Sequence, residues 1–157
     1  MEEMVLKSSI KVAQMTDLSP KEQELVQAAI KATYRSYAVY SNFHVGAAVL
    51  LENGETIMGS NQENVSFGAG ICAERTALFT AGTQFPEVPI QMIAIAARKP
   101  DGNLQESPIS PCGICRQAIL EVEKRYHKPV RIILYGTDKI YVVDGIQQLM
   151  PLSFTDF

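Results

Sequence analysis

All three cysteines of this 157-residue chain fall in two short stretches, Cys72-Ala73-Glu74-Arg75 and Pro111-Cys112-Gly113-Ile114-Cys115. Any fold of the chain has to account for that distribution. An odd count with two members three residues apart is not a secreted disulfide framework. Reduced thiols instead fit a cytoplasmic protein. Cys112 and Cys115 read as lying in the first turn of one helix, where a spacing of three puts both sulfurs on one face. Cys72 reads as the start of a different helix. The first N–H groups of a helix lack partners within it and carry partial positive charge. Two helix N-termini aimed at one spot therefore favour thiolates. Thiolate is the form that binds zinc, at ~2.3 Å. The pattern points to one zinc ion held by Cys72, Cys112 and Cys115.

Ligand count separates structure from catalysis. A structural zinc is closed by four protein ligands, whereas a catalytic one uses three and keeps a position for water. The chain has only two histidines. His127 is expected about 18 Å along the helix from Cys115, which leaves His44 as the one alternative fourth ligand. The favoured reading is an open site that activates water, with Glu74 as general base and acid. Three thiolates on one zinc leave a net negative centre, which Arg75 and Gln117 are placed to offset.

The surrounding sequence predicts an α/β domain. Ser19-Pro20-Lys21-Glu22 is a helix start with a capping box and a proline in the first turn. Leu25, Val26, Ala29, Ile30 and Ala32 continue it at helical spacing, giving a helix over about 20–38. Apolar runs at 45–51 and 55–60 flank Asn53-Gly54, a strong hairpin signal. A polar loop over 61–70 precedes a second helix from near Ile71 to a stop at Gly82. The run 90–97 reads as a buried central strand. Ser110-Pro111 is expected to open the third helix, with Cys115, Ile119, Val122 and Tyr126 on one face and Pro129 at its end. Strands follow at 130–135 and 140–143, then a short helix over 145–150. Alternation at Ile10 and Val12 marks an arm or an extra strand. The sum is a three-layer α/β/α arrangement with a mixed sheet of about five strands. One domain is expected over 1–157, with 1–18 an N-terminal extension and 19–157 the catalytic core.

Composition narrows the function. The net charge is −3, and Lys and Arg are scattered, so a clustered basic face for nucleic acid is not expected. The longest apolar run is far too short for a membrane span. Met1-Glu2-Glu3-Met4 lacks the basic and apolar regions of a signal peptide.

Cys72-Ala73-Glu74-Arg75-Thr76-Ala77 and Ser110-Pro111-Cys112-Gly113-Ile114-Cys115-Arg116-Gln117 resemble the zinc signature of the small, homotetrameric cytidine deaminases. Tyr40-Ser41-Asn42-Phe43-His44-Val45-Gly46-Ala47-Ala48 and Asn61-Gln62-Glu63-Asn64 are similar to further segments of that family. The resemblance spans roughly residues 20–154. It implies hydrolysis of cytidine and deoxycytidine to uridine and deoxyuridine, with Zn2+ on Cys72, Cys112 and Cys115 and Glu74 as proton shuttle. It also implies that Phe43 packs on the pyrimidine, that Asn61 and Glu63 bind the ribose 3′ hydroxyl, and that the Ala73 N–H contacts the pyrimidine O2. Arg75 and Gln117 would moderate the thiolate charge. Phe154 would reach into a neighbour's site in a homotetramer with active sites shared between subunits. Val39 and Phe67 depart from residues common in the family, and 1–18 extend beyond its usual start. The rival readings are a deaminase of another aminopyrimidine nucleoside such as a nucleoside antibiotic, a polynucleotide deaminase, and a non-catalytic zinc-stapled interaction domain.

Overall fold

A computed structural model describes residues 1–155; the last two positions of the predicted core and tail, Asp156 and Phe157, lie outside the described residues. The chain runs β1 (Lys11–Ala13), α1 (Pro20–Ala32), β2 (His44–Leu51), β3 (Thr56–Ser60), α2 (Ala73–Gln84), β4 (Ile90–Arg98), α3 (Gly113–Tyr126), β5 (Arg131–Tyr135) and β6 (Ile140–Asp144). The strands form one mixed sheet in the order β1-β6-β5-β4-β2-β3. The sixth strand is β1, which pairs antiparallel with β6 from Lys11 opposite Val142. Its three residues were too few to fix a strand from alternation alone.

The sheet separates two apolar layers. Leu25, Val26 and Ala29 of α1 pack on Ala48, Ala94, Ile133 and Val142. Ala77, Leu78 and Ala81 of α2 pack with Ile119 and Leu120 of α3 on the opposite face, against Ala47, Ile93, Ile95 and Ile132. Alternate residues of the same strands serve the two layers, as the pleat requires.

Strand direction places the helices. β2 is antiparallel to both β3 and β4, so β3 and β4 run the same way. α2 follows β3 and α3 follows β4, so both helices begin beyond the carboxyl ends of those strands. Open α/β sheets place ligand sites at that edge. β4 and β5 are the directly hydrogen-bonded parallel pair, and α3 makes the crossover between them.

Two glycines set how closely the helices lie on the sheet. A Cβ on Gly59 of β3 would come within 2.4 Å of both the Ala73 carbonyl oxygen and the Ala77 nitrogen of α2. One on Gly46 of β2 would come within 2.1 Å of the Ala29 carbonyl oxygen of α1. Backbone therefore lies directly on backbone at both places.

Several boundaries differ from the sequence expectation. α1 ends at Ala32 and tightens into a 3-10 turn over Thr33–Arg35, rather than continuing to 38. α2 begins at Ala73 and passes through Gly82 to Gln84. Its stop is Phe85, which precedes Pro86 and is biased away from helical backbone. α3 is not opened by Ser110-Pro111; its N-cap is Cys112. It ends on His127 in the left-handed conformation (φ 53°), ahead of Pro129. The short helix over 145–150 is a 3-10 turn, Ile146–Gln148. The Asn53-Gly54 hairpin and the Ser19–Glu22 capping box both form, with Gly54 at φ 88°.

Glu22 does more than cap. It is buried, accepts the Ser19 N–H at 2.8 Å and ion-pairs with Arg131 of β5. Burial alone would raise its carboxyl, but the Ser19 hydroxyl, the Ser19 N–H and Arg131 together hold it below the usual 4.5. A depressed carboxyl contributes stability that is present above its unfolded value and lost as pH falls through its folded value. Urea unfolding free energy should therefore decline below about pH 4.5, with a shallower decline in Glu22→Gln. Gly59→Ala should lose about 1–3 kcal/mol by the same measurement, because α2 must lift off β3. A more stable Gly59→Ala protein would show that the close seating is absent.

Candidate metal centre and active site

Cys72 is the N-cap of α2 and Cys112 the N-cap of α3. An N-cap is usually Ser, Thr, Asp or Asn, whose side chain accepts a helix N–H. Neither cysteine side chain makes such a bond. The sulfurs turn toward each other instead, 3.8 Å apart. Cys115, one turn into α3, is fully buried and completes a cluster whose sulfurs all lie within 4.8 Å of one another. Tetrahedral zinc with ~2.3 Å bonds needs sulfurs about 3.8 Å apart. The donor set and spacing fit that ion.

No histidine joins the cluster. His44 Nδ1 instead sits 3.2 Å from the Ser36 hydroxyl at the start of β2. His127 caps the far end of α3. Among the described residues, no other group of three or more His, Cys, Asp or Glu side chains has this geometry.

Charge is managed locally. A hydrogen bond from the Cys115 thiol, aided by Arg75 and Cys112, holds the Cys72 thiol down to about 5 against the opposing effect of burial. The same bond, together with burial and the nearby Glu74 charge, pushes Cys115 up. Arg75 lies with Nη2 at 3.8 Å from the Cys72 sulfur. Its Nε is buried with no hydrogen-bond partner among the described residues, beside sulfurs that become anionic on binding metal.

Glu74 stands in the first turn of α2 and is only 4% exposed. Burial raises its carboxyl above the usual 4.5, and the adjacent Cys72 charge adds to the rise. Ala73 is fully buried at the first position of α2, where a backbone N–H has no partner within the helix.

A cavity of about 490 Å³ reaches this centre, bounded by Tyr40, Asn61, Glu63, Phe67, Ile71 and Cys72. Asn61 and Glu63 build its wall. The Asn61 side-chain oxygen Oδ1 accepts the Val45 N–H at 2.8 Å and the Ser36 hydroxyl at 2.6 Å. Its amide donates to the Phe43 carbonyl at 2.9 Å. Glu63 accepts the N–H groups of Tyr40 and Ser41 at 2.8 and 3.2 Å and the Ser41 hydroxyl. These bonds, the Ser41 hydroxyl first, hold its carboxyl below the usual range. Phe43 is half-buried, tied through Asn61 to the cavity wall but not lining it. A larger cavity of about 590 Å³ lies between α2 and α3, against Phe79, Val122 and Tyr126, and does not touch the cysteines.

One predicted partner is different. Gln117 donates to the Phe154 carbonyl at 3.0 Å, so the structure gives its amide to the C-terminal tail rather than to a cysteine. Its position one turn beyond Cys112 made a sulfur contact the simpler sequence reading. Sequence reasoning also missed the cavity lining by Tyr40, the Ser36 and Ser41 hydroxyls, and Arg116, discussed below. Tyr40, Ser41 and Arg116 lie within the segments that carry the family resemblance, but the spacing of those segments assigns them no contact, and Ser36 lies outside them.

A carboxylate buried beside a three-sulfur centre, at the carboxyl edge of a mixed sheet, is the arrangement of a metal-dependent hydrolase. Residues 19–128 match the family model of the cytidine and deoxycytidylate deaminase zinc-binding region. The chain belongs to that family. It is 41% identical over 100 residues to a cytidine deaminase of Halalkalibacterium halodurans, covering 64% of this chain and 70% of the relative. It is 32% identical over 125 residues to one of Mycoplasma genitalium, covering 76% and 85%. Among solved structures, the cytidine deaminase of Burkholderia pseudomallei superposes with a TM-score of 0.72 at 35% identity, over 83% of this chain and 97% of that one. The enzyme of Mycobacterium tuberculosis gives 0.64 at 27% identity, over 86% and 98%.

The sulfurs should differ in reactivity. In metal-free protein at pH 7, iodoacetamide should alkylate Cys72 before the buried Cys115, and added zinc should protect all three. Peptide mass mapping that finds Cys115 labelled first would contradict this order.

Proposed function

We propose that the chain hydrolyses the 4-amino group of cytidine and deoxycytidine, yielding uridine or deoxyuridine and ammonia. The observation that carries this reading is the three-sulfur cluster, at zinc spacing, beside a buried carboxylate. Cys72, Cys112 and Cys115 hold the ion. Zinc in that position supplies the Lewis acidity that makes water a nucleophile near neutral pH. A non-catalytic zinc staple would call for a fourth protein ligand, and the cluster is made of three sulfurs.

Glu74 moves the protons. It takes one from the water and delivers it to ring N3, which makes C4 electrophilic; the water oxygen adds to C4, and Glu74 then carries the proton of that new hydroxyl to the 4-amino group as the C4–N bond breaks and ammonia leaves. Its burial suits it to both steps, because a raised carboxyl gives up and regains a proton closer to neutrality. Arg75 stays beside the Cys72 sulfur and offsets the thiolate charge. Ala73 presents its N–H to the pyrimidine O2, and Phe43, outside the cavity lining but fastened to its wall through Asn61, is the aromatic assigned to the ring. Asn61 and Glu63 bind the ribose 3′ hydroxyl, using the second amide hydrogen of Asn61 and the remaining lone pair of Glu63.

The proposed assembly is a homotetramer in which Phe154 reaches a neighbour's site. Support comes from large apolar side chains left exposed on one chain, among them Phe67, Phe79, Ile114 and Phe154. No described helix is long and apolar enough to cross a membrane, and the reduced cysteines support a cytoplasmic location.

Glu74→Gln should keep its zinc and lose about 10²–10⁴-fold in cytidine turnover. Metal analysis beside an absorbance assay for loss of cytidine checks both halves. Full turnover in that variant would remove Glu74 from the mechanism.

A further inference from the structure

Cys112 is the exposed member of the sulfur cluster, while Cys115 is buried and Cys72 intermediate. Packing therefore does little to fix it, and its position has to come from hydrogen bonds. Both carbonyls that bracket it are held by one residue. The Arg116 backbone N–H donates to the Cys112 carbonyl at 2.9 Å, closing the first turn of α3. Arg116 Nε donates to the Pro111 carbonyl, also at 2.9 Å. The other arm of the guanidinium leaves the helix, and Nη1 donates to the Leu149 carbonyl at 2.9 Å.

Leu149 opens the C-terminal tail. The next residue of α3, Gln117, holds the Phe154 carbonyl of that tail, and Lys124 donates to the Thr155 carbonyl. Within the tail, the Ser153 hydroxyl closes on the Met150 carbonyl at 2.5 Å. The tail is thus laced to α3 through its main chain, and Arg116 is the point where that lacing meets the metal-ligand loop.

We infer that Arg116 is a positioning residue of the metal centre, one that couples the Cys112 loop to the C-terminal tail. The inference rests on the zinc reading proposed above. A planar fork suits the task, because it reaches two carbonyls in fixed directions at once. A lysine in its place keeps the charge but offers a single point donor. Groups that orient metal ligands from outside the coordination shell typically change metal affinity by about 10–100-fold when removed.

The test uses zinc-loaded full-length protein, with Arg116→Gln, Arg116→Lys and Arg131→Gln beside the parent. Arg131 ion-pairs with Glu22 of α1 and Asp144 of β6, makes none of the contacts to the Cys112 loop or to Leu149, and reports general destabilisation. Three readouts are taken: zinc release to excess 4-(2-pyridylazo)resorcinol, the thiolate-to-metal charge-transfer band of the Co2+-substituted protein, and hydrogen exchange over residues 149–154. Both Arg116 variants should release zinc about tenfold faster or more, shift the cobalt band and lose protection in the tail. Stripping zinc from the parent should loosen the same tail segment. Arg131→Gln should match the parent in all three. Parent-like zinc release and cobalt spectra in Arg116→Lys would overturn the inference, as would equal effects from Arg131→Gln. If Arg116→Gln does not fold, the lysine variant decides. A parent that takes up no zinc or leaves cytidine intact would instead count against the proposed function.

Discussion

The shared direction of β3 and β4 is the constraint on which the site depends. Each lies antiparallel to β2, and each feeds a helix on the same face of the sheet. The two helix N-termini therefore arrive together at one edge. Each brings unpaired N–H groups and a partial positive charge. Both N-cap positions are cysteine, so the sulfurs meet where anionic sulfur is most stabilised. Had β3 run the other way, Cys72 would lie at the opposite edge of the sheet, and the three sulfurs would not meet.

The same geometry sets the charge of the neighbouring groups. Three thiolates on a divalent ion carry a net negative charge, which the helix ends and Arg75 oppose. Glu74 adds a carboxyl one residue inside α2, buried in that field. Burial and the Cys72 charge both favour its protonated form, so its readiness to exchange protons is a product of the fold rather than of the side chain alone. Across the cavity Glu63 has the opposite bias, because Ser41 and two backbone N–H groups stabilise its anion. Two acids of similar intrinsic strength are thereby driven apart by their surroundings.

Much of this was legible in the residues. The two cysteine stretches, the Ser19–Glu22 capping box, the Asn53-Gly54 turn and the apolar run of β4 each act locally, and each appears where the sequence places it. What the residues left open or placed wrongly is mostly decided by distant parts of the chain. Ser110-Pro111 carries a better local helix start than Cys112, yet the helix starts where Arg116 and the sulfur cluster fix the loop. Gly82 has the residue type of a stop but lies inside α2, which ends at Phe85 ahead of Pro86. The partner of Gln117 lies 37 residues away in the tail, and no local pattern indicates it. β1 depends on β6 for its existence.

The pairing of β1 with β6 also bears on how the protein behaves at high concentration. A bare strand at the rim of a sheet offers main-chain donors and acceptors to any similar chain and is a template for fibrous stacking. At this rim, one of two in the sheet, the strand has three residues. Its Lys11 is salted to Asp144 across the pair, 2.7 Å apart. A short, charged border of this kind is a poor seed for edge-to-edge growth. Removing the first thirteen residues would bare β6 and its apolar Val142, exchanging that protection for a surface prone to self-association.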